Sequence, residues 1–321
     1  MQQSLTRPFS ASAPRRAVHV RDAVFAGLAR FSGAFVLALL GAIIVVLFLG
    51  GLAAFRQFGP AFLVSASWDP VKEVFGAAVP IYGTLVTSVL ALIVAVPISF
   101  GIAFYLTELA PIWMRRPVGT AIELLAAVPS IIYGMWGFFV IAPLMAGYLQ
   151  PSMIDAFDGI PVLQDLFAGP PFGTGILTAA LILAVMIIPF IAATMRDVFD
   201  QVPPVYKESA YGVGCTTFEV VRSIVIPYTR VSVVGGIMLG LGRALGETMA
   251  VTSVIGNTNR ISTSLFGPGN TIASIVALEF PESEAGSLKL SSLLALGFIL
   301  FVISFIVLAI SRVLLRPGLK A

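Results

Sequence analysis

Arg243 and Glu247 are two ionisable residues inside an apolar, glycine-rich stretch that runs from Val231 to Ile255. If this stretch is one helix, their four-residue spacing places both side chains on the same face, where they can pair. At 1.5 Å per residue, Arg243 lies about 18 Å and Glu247 about 24 Å from Val231. A charge at the centre of a membrane helix costs about 2.5–3.5 kcal/mol. The two residues therefore form either a structural ion pair or a site that handles an anion, since a guanidinium suits an oxyanion.

The composition indicates that most of the chain lies in a membrane. Of its 321 residues, 58% are hydrophobic and only 11% are charged, and the mean hydropathy is +1.00, whereas soluble domains carry about 25% charged residues. Six segments approach or exceed the ~20 apolar residues that a membrane-spanning helix needs. The sequence thus predicts an all-α membrane protein with six transmembrane helices. The predicted spans are residues 33–54, 80–106, 119–146, 173–195, 231–255 and 291–314.

The predicted organisation is a basic arm (residues 1–30), a membrane domain (residues 31–315) and a short tail (residues 316–321). The alternative for the first apolar run is a secretory signal, but that run is longer than the 7–15 apolar residues of a signal peptide. It is therefore predicted to remain as the first span.

Lysine and arginine are distributed unevenly between the two predicted sides of the membrane. If the amino-terminal arm is inside, fourteen of the 19 lie on the inner side, four lie on the outer side, and Arg243 lies within a span. Cytoplasmic loops carry an excess of these residues, so both termini are predicted to be cytoplasmic. The outer connections are acidic, which reflects either the missing cations or a docking surface for a soluble partner.

Several functions are excluded by what the sequence lacks. Cys215 is the single cysteine and His19 the single histidine, so neither an intrachain disulfide nor a metal site built on these residue types is expected. The chain has no Gly-x-x-x-x-Gly-Lys-Ser/Thr loop and is not expected to bind or hydrolyse ATP. A net charge of +3 without a basic face gives no indication of nucleic-acid binding. No catalytic residue, metal or cofactor is predicted.

The longest predicted inner loop, residues 196–230, carries residues at a distinctive spacing. Pro203 and Pro204 predict a helix start, and two glycines predict a turn before a second short helix. Without the spacing, a helix lying on the membrane surface would explain the aromatic residues equally well. Three residues separate Ala210 from Gly214, and nine separate Gly214 from Ile224. The positions that carry the pattern are Glu208, Ser209, Ala210, Gly214, Ile224 and Pro227.

This pattern resembles the EAA loop of ABC importer permeases, which runs Glu-Ala-Ala, three residues, Gly, nine residues, Ile-x-Leu-Pro. Ser209 in place of alanine and Ile226 in place of leucine are departures from it. The resemblance implies a type I ABC importer permease whose loop fits into a cleft of a cytoplasmic ATPase subunit. Small residues would allow close approach, and Glu208 would pair with a basic wall. ATP hydrolysis would belong to that separate subunit.

Two further strings, residues 242–251 and 128–134, resemble the PstC-type permeases of bacterial phosphate ABC importers. Nearly the whole chain fits that family. The resemblance implies that Arg243 and Glu247 take part in phosphate passage, whereas the spacing alone indicates only an anion. Hydroxyl groups along the spans are weaker candidates, because such groups commonly bond to their own backbone. These candidates are Thr248, Ser130, Tyr133, Thr84 and Ser88.

The same resemblance implies the partners of the chain in a bacterial inner membrane. They are a second, PstA-type permease, two PstB-type ATPase subunits, a PstS-type phosphate-binding protein outside and the lipid bilayer. A phosphate-sensing regulatory system would be a further partner if the complex also senses phosphate. Two alternatives remain open: a permease for another oxyanion such as sulfate, molybdate or phosphonate, and an ion-driven secondary transporter in which Arg243 and Glu247 couple the ion.

Overall fold

The structure is a computed structural model that describes the backbone of residues 15–314 and the side chains of residues 22–313. The predictions for residues 1–14 and for the tail 316–321 lie outside the described residues. In the described range the fold is helical, without a β-strand. The helices are α1 (Arg15–Phe58), α2 (Ala61–Val64), α3 (Ala78–Phe104), α4 (Ile112–Ala126), α5 (Ser130–Trp136), α6 (Ala142–Leu144), α7 (Gln150–Phe157), α8 (Leu163–Leu166), α9 (Ile176–Asp200), α10 (Pro204–Gly212), α11 (Thr217–Val220), α12 (Ile226–Leu245), α13 (Met249–Thr252), α14 (Ile272–Glu279) and α15 (Leu288–Leu314).

Short π-helical turns join several of these helices into longer segments. Six of the resulting segments in the described range are long and apolar enough to cross a membrane, which confirms the prediction of an all-α protein with six spans. The segments are Asp22–Phe58, Ala78–Leu109, Ser130–Phe157, Ile176–Asp200, Thr217–Leu245 and Leu288–Val313.

The chain divides into two compact units, Met1–Leu49 and Gly50–Ala321. The described part of the first unit is the beginning of α1. Its large apolar side chains are exposed all around the helix, among them Phe25, Phe31 and Leu37. A helix that is apolar on every side is typical of a membrane segment.

In the second unit α9 is the central helix, because about two-thirds of its most apolar stretch is buried. Small residues of α3 such as Ala91 and Ala95 lie in the same buried cluster as Leu183 and Ile187 of α9. Small side chains let helix backbones approach closely in a membrane. A second cluster joins the end of α1 with α2, α14 and α15 around Phe62.

The third predicted span, residues 119–146, is wrong in its bounds. The chain forms the separate helix α4, breaks at residues 127–129, and starts the apolar segment only at Ser130. Pro129 at the break lacks a backbone donor, and proline disfavours helical geometry in the residue before it. Glu123 lies in α4 and contacts Arg196 of α9 at 2.6 Å.

The fifth predicted span, residues 231–255, is also wrong as one continuous helix. The apolar helical segment begins at Thr217 and ends at Leu245, and the chain breaks at residues 246–248 before the single turn α13. Gly246 follows the last helical residue, where glycine is a common helix terminator. The shift matters because the break separates Arg243 from Glu247.

Candidate substrate pathway and coupling surface

Glu247 lies in the break between α12 and α13, where its side chain bonds to the first turn of α13. Its side-chain Oε1 accepts a hydrogen bond from the backbone N–H of Ala250 at 3.3 Å. Its own N–H donates to the carbonyl of Ala244 at 3.3 Å. A carboxylate at this place satisfies an otherwise unbonded donor and opposes the positive end of the short helix.

Arg243 lies in the last turn of α12, and its side chain is exposed on the surface of this chain. Among the described residues no ion pair joins Arg243 to Glu247; the pairing expected of a continuous helix is therefore not formed. The physical reason is the break, which ends the i, i+4 geometry before Glu247 is reached. The guanidinium is thus left at the negative end of a helix, without this carboxylate as its counter-ion.

The break lies against the start of the third span. Helix α5 packs on α13 at Gly134, where an added Cβ would come within about 3 Å of Ala250 and Ser253. This close contact brings together the two strings, residues 128–134 and 242–251, that were singled out in the sequence. Two discontinuous spans that meet within a membrane are a recurring architecture for ion and substrate sites.

Three of the predicted hydroxyl residues belong to these two breaks. Ser130 begins α5, and Thr248 immediately precedes α13. The hydroxyl of Tyr133 donates to the carbonyl of Leu125 at 2.9 Å across the break between α4 and α5. Tyr133 therefore helps to support this break.

Thr84 and Ser88 have a different environment, because both are buried inside this chain. The Thr84 hydroxyl donates to the carbonyl of Pro80 at 2.7 Å and accepts from the N–H of Ile272 at 2.9 Å. Thr84 thus fixes the start of α14 through a contact that the sequence did not predict. Within the described residues the hydroxyl of Ser88 has no hydrogen-bond partner.

The loop between spans four and five forms two short helices, α10 and α11, with a turn at Gly214. Gly214 has φ of +93°, a conformation that side chains with a Cβ rarely adopt. Thr216 and Glu219 form a capping box that starts α11. The apolar side chains of Val205, Tyr206, Val213 and Phe218 are exposed. A cluster of exposed apolar residues marks an interaction surface.

The motif residues lie along this loop and into the next span. Glu208 and Ser209 are exposed on α10, and Ala210 lies beside them, half-buried. Ile224 lies in a π-helical turn, and Pro227 is in the first turn of α12. Helix α12 then continues without interruption to the turn that carries Arg243. The end of the motif, Ile224 to Pro227, therefore lies on the same helical segment as Arg243, whereas Glu208 to Gly214 lie before the turn.

Lys207 and Arg196 form ion pairs near the ends of the spans that were not predicted from the sequence. Lys207 of α10 contacts Glu108, at the end of the second span, at 2.6 Å, and the side chains are 18% and 7% exposed. Arg196 contacts Glu123 at 2.6 Å and Asp197 at 2.9 Å. The uneven distribution of lysine and arginine indicates only that these residues lie on the same side of the membrane. It does not identify the carboxylates with which they pair.

Six apolar spans, an exposed loop with the EAA-like spacing and a broken fifth span that contains Arg243 are typical of a membrane-spanning transport subunit. The chain belongs to the family of binding-protein-dependent transport system inner membrane components, whose model matches residues 95–317. It is a multi-pass membrane protein of that family.

Among its relatives are proteins named phosphate transport system permease protein PstC. The one from Mesorhizobium japonicum is 57% identical over 306 residues, covering 95% of this chain and 93% of its own. The one from Pasteurella multocida is 57% identical over 311 residues, covering 97% of each chain. A probable PstC from Methanocaldococcus jannaschii is 36% identical over 265 residues, covering 81% of this chain and 82% of its own.

The fold is also similar to a solved structure of the MetNI methionine ABC transporter in an inward-facing conformation. The TM-score is 0.51 at 17% sequence identity, covering 73% of this chain and 94% of that chain. At this identity the similarity concerns the fold, which is that of an ABC importer permease.

Proposed function

We propose that this chain is the permease subunit of an ATP-driven importer that moves inorganic phosphate into the cytoplasm by alternating access. The observation that carries the proposal is Arg243, a cation within a span that is not paired with Glu247 and lies beside the contact between two broken helices. Relatives named as phosphate permeases, at 57% identity over nearly the whole chain, support phosphate as the anion.

In this proposal Arg243 is the group that receives the anion. Its planar guanidinium can donate two parallel hydrogen bonds to a phosphate. Glu247 holds the break in shape by capping α13, so that the carboxylate does not neutralise the cation. Ser130, Tyr133 and Thr248 are the nearest candidates for additional donors.

Uptake of radiolabelled phosphate by the reconstituted complex tests this function. We expect uptake to depend on ATP enclosed in the vesicle lumen, which corresponds to the cytoplasm. An excess of sulfate, molybdate or phosphonate should not reduce this uptake. Competition by one of these oxyanions at equal concentration would assign the permease to that oxyanion. Uptake that needs no ATPase and stops when an ion gradient is collapsed would instead identify a secondary transporter.

We further propose that α10 is the contact for a cytoplasmic ATPase subunit, with a second permease, two ATPase subunits and an outer binding protein completing the complex. The support is the exposure of Glu208 together with apolar neighbours such as Val205 and Tyr206 on one short helix. In this arrangement both chain termini and α10 lie on the cytoplasmic side, and residues 31–315 form the membrane domain.

Glu208→Lys tests the contact. We expect the variant chain to insert normally but to lose ATPase co-purification, because removing one partner of an interfacial charge pair costs about 2–5 kcal/mol and reversal adds repulsion. The control is Glu284→Lys, which makes the same charge change at an exposed position in the loop before the last span. Normal co-purification and uptake in the Glu208 variant would contradict the proposed contact.

The proposed orientation has its own test. Cys215, the single cysteine, lies in the loop between α10 and α11. A membrane-impermeant maleimide applied outside intact cells should leave Cys215 unmodified and should label a Glu284→Cys, Cys215→Ser variant. If Cys215 were labelled and the cysteine introduced at position 284 were not, the topology would be opposite to the proposed one.

A further inference from the structure

A polar cavity of about 350 Å³ lies between α4, the end of the second span and the last turns of α9. Three arginines, Arg115, Arg116 and Arg196, line it together with Thr120 and the carboxylates of Glu123 and Asp200. The proposed transport mechanism uses none of these residues. Three arginines against two carboxylates leave a net charge of +1 for the lining.

The hydrogen bonds of the arginines show which part of the cavity is available. Arg196 is engaged by Glu123 at 2.6 Å. Arg115 donates from Nε to the carbonyl of Ala110 at 2.9 Å, which orients its guanidinium and leaves the two terminal nitrogens as donors. Arg116 forms no hydrogen bond or ion pair with any other described residue. Two guanidinium groups thus face the cavity with unused donors, which is the chemistry that binds a phosphate group.

The position of the cavity indicates where that phosphate group comes from. It lies at the ends of two membrane spans, Ala78–Leu109 and Ile176–Asp200. Beside it, Ile112 and Trp113 at the start of α4 are 85% and 74% exposed. Tryptophan on an amphipathic helix at the end of a span is typical of the membrane–water interface. Phospholipid headgroups occupy the membrane–water interface, where spans end.

We infer that this cavity is a binding site for the phosphodiester of an anionic phospholipid, with Arg115 and Arg116 as its ligands. One phosphodiester carries a single negative charge, and neither Arg115 nor Arg116 forms an ion pair with another described residue, whereas Arg196 is paired with Glu123 and Asp197. Basic pockets between membrane helices on the cytoplasmic side bind anionic headgroups in this way. The proposal concerns a site separate from the transport pathway and does not depend on phosphate being the transported anion.

The test is lipid binding to the purified complete transporter, measured by native mass spectrometry. Phosphatidylglycerol is titrated into the wild-type complex and into Arg116→Gln, with phosphatidylcholine as the zwitterionic comparison. We expect Arg116→Gln to weaken phosphatidylglycerol binding about tenfold, because the substitution removes one charge-assisted hydrogen bond to the phosphodiester. Because Arg116 has no intramolecular partner among the described residues, its replacement removes no contact that supports the fold.

The matched control is Arg230→Gln, which removes an exposed arginine of α12 that does not line the cavity. We expect it to change phosphatidylglycerol affinity by less than about twofold, as for a distant site. If phosphatidylglycerol binding were weakened equally in both variants, or not at all in Arg116→Gln, the proposed lipid site would be wrong. Displacement of phosphatidylglycerol by millimolar inorganic phosphate would overturn the lipid assignment and make the cavity a site for the free anion.

Discussion

Two regions of this molecule contain arginine or lysine near glutamate, and they use these residues in opposite ways. Near the ends of the spans the charges are paired, as Lys207 with Glu108 and Arg196 with Glu123, each at 2.6 Å. At the break in the fifth span Arg243 and Glu247 are four residues apart and yet form no pair in the described structure. A satisfied pair holds helices together, whereas an unsatisfied cation inside a span remains able to bind a ligand.

The comparison teaches that the spacing of charges is less informative than the continuity of the helix that carries them. Four-residue spacing predicts pairing only while the helix continues. The break after Leu245 turns the same two residues into a helix cap and a free cation. Each of the following predictions tests one side of this contrast.

The largest effect is expected for Arg243→Gln. The initial rate of ATP-driven phosphate uptake should fall about 10- to 100-fold, which corresponds to one charge-assisted hydrogen bond of about 1.5–3 kcal/mol. ATPase co-purification and the Tm of the complex should stay unchanged, because the residue is not held in an ion pair with Glu247. Arg230→Gln on the same helix serves as the control. Unchanged uptake in Arg243→Gln would make this cation structural.

Lys207→Met should behave in the opposite way, with a clear loss of stability. Removing the lysine leaves the carboxylate of Glu108, only 7% exposed, without its counter-ion. Breaking a fully buried pair costs 3–5 kcal/mol, and partial exposure reduces this to about 2 kcal/mol, or a fall in Tm of about 4–8 °C. The exchanged pair Lys207→Glu with Glu108→Lys should recover part of the loss. An unchanged Tm in Lys207→Met would show that the pair contributes nothing to stability.

Gly134→Ala probes the contact between the two breaks. Its Cβ would lie about 3 Å from Ala250 and Ser253, and this overpacking should cost about 1–3 kcal/mol and slow uptake. Gly147→Ala in the same span meets no atom within 4 Å and is the matched control, with no loss of Tm expected. Equal behaviour of the two variants would mean that the close contact at Gly134 is not required.

The smallest effect is expected for Glu247→Gln, because glutamine keeps an acceptor oxygen for the N–H of Ala250. Uptake should remain within about twofold of the wild type if the carboxylate acts as a cap and not as a charge. Glu247→Ala removes the cap and should lower stability by about 1 kcal/mol. Loss of uptake in Glu247→Gln as severe as in Arg243→Gln would show that the negative charge itself is needed, and the contrast between the two residues would fail.

The sequence predicted the features that depend on composition or on fixed spacing. Long apolar runs identify the spans because water is absent from the membrane interior. The residues from Pro203 to Gly214 predicted two short helices with a turn between them, and the structure has that turn at Gly214. The contact of this loop with an ATPase stays a prediction.

The features that depend on long-range packing could not be predicted. Glu108 and Lys207 are 99 positions apart, and no local pattern joins them. Residues 119–146 are apolar enough to read as one helix, and the break before Ser130 is apparent only in the structure. For the same reason the bounds of the third and fifth spans were misplaced, while their existence was predicted correctly.

The uninterrupted run of α12 from Pro227 to the turn of Arg243 has a mechanical consequence. A helix with all its internal hydrogen bonds is stiff, and about 24 Å of it lies between these two residues. Residues 246–248 are compliant by comparison, since the helical ladder is interrupted there. A displacement that reaches Pro227 would therefore produce little bending along α12 and would be concentrated as rotation at this three-residue joint, beside the cation.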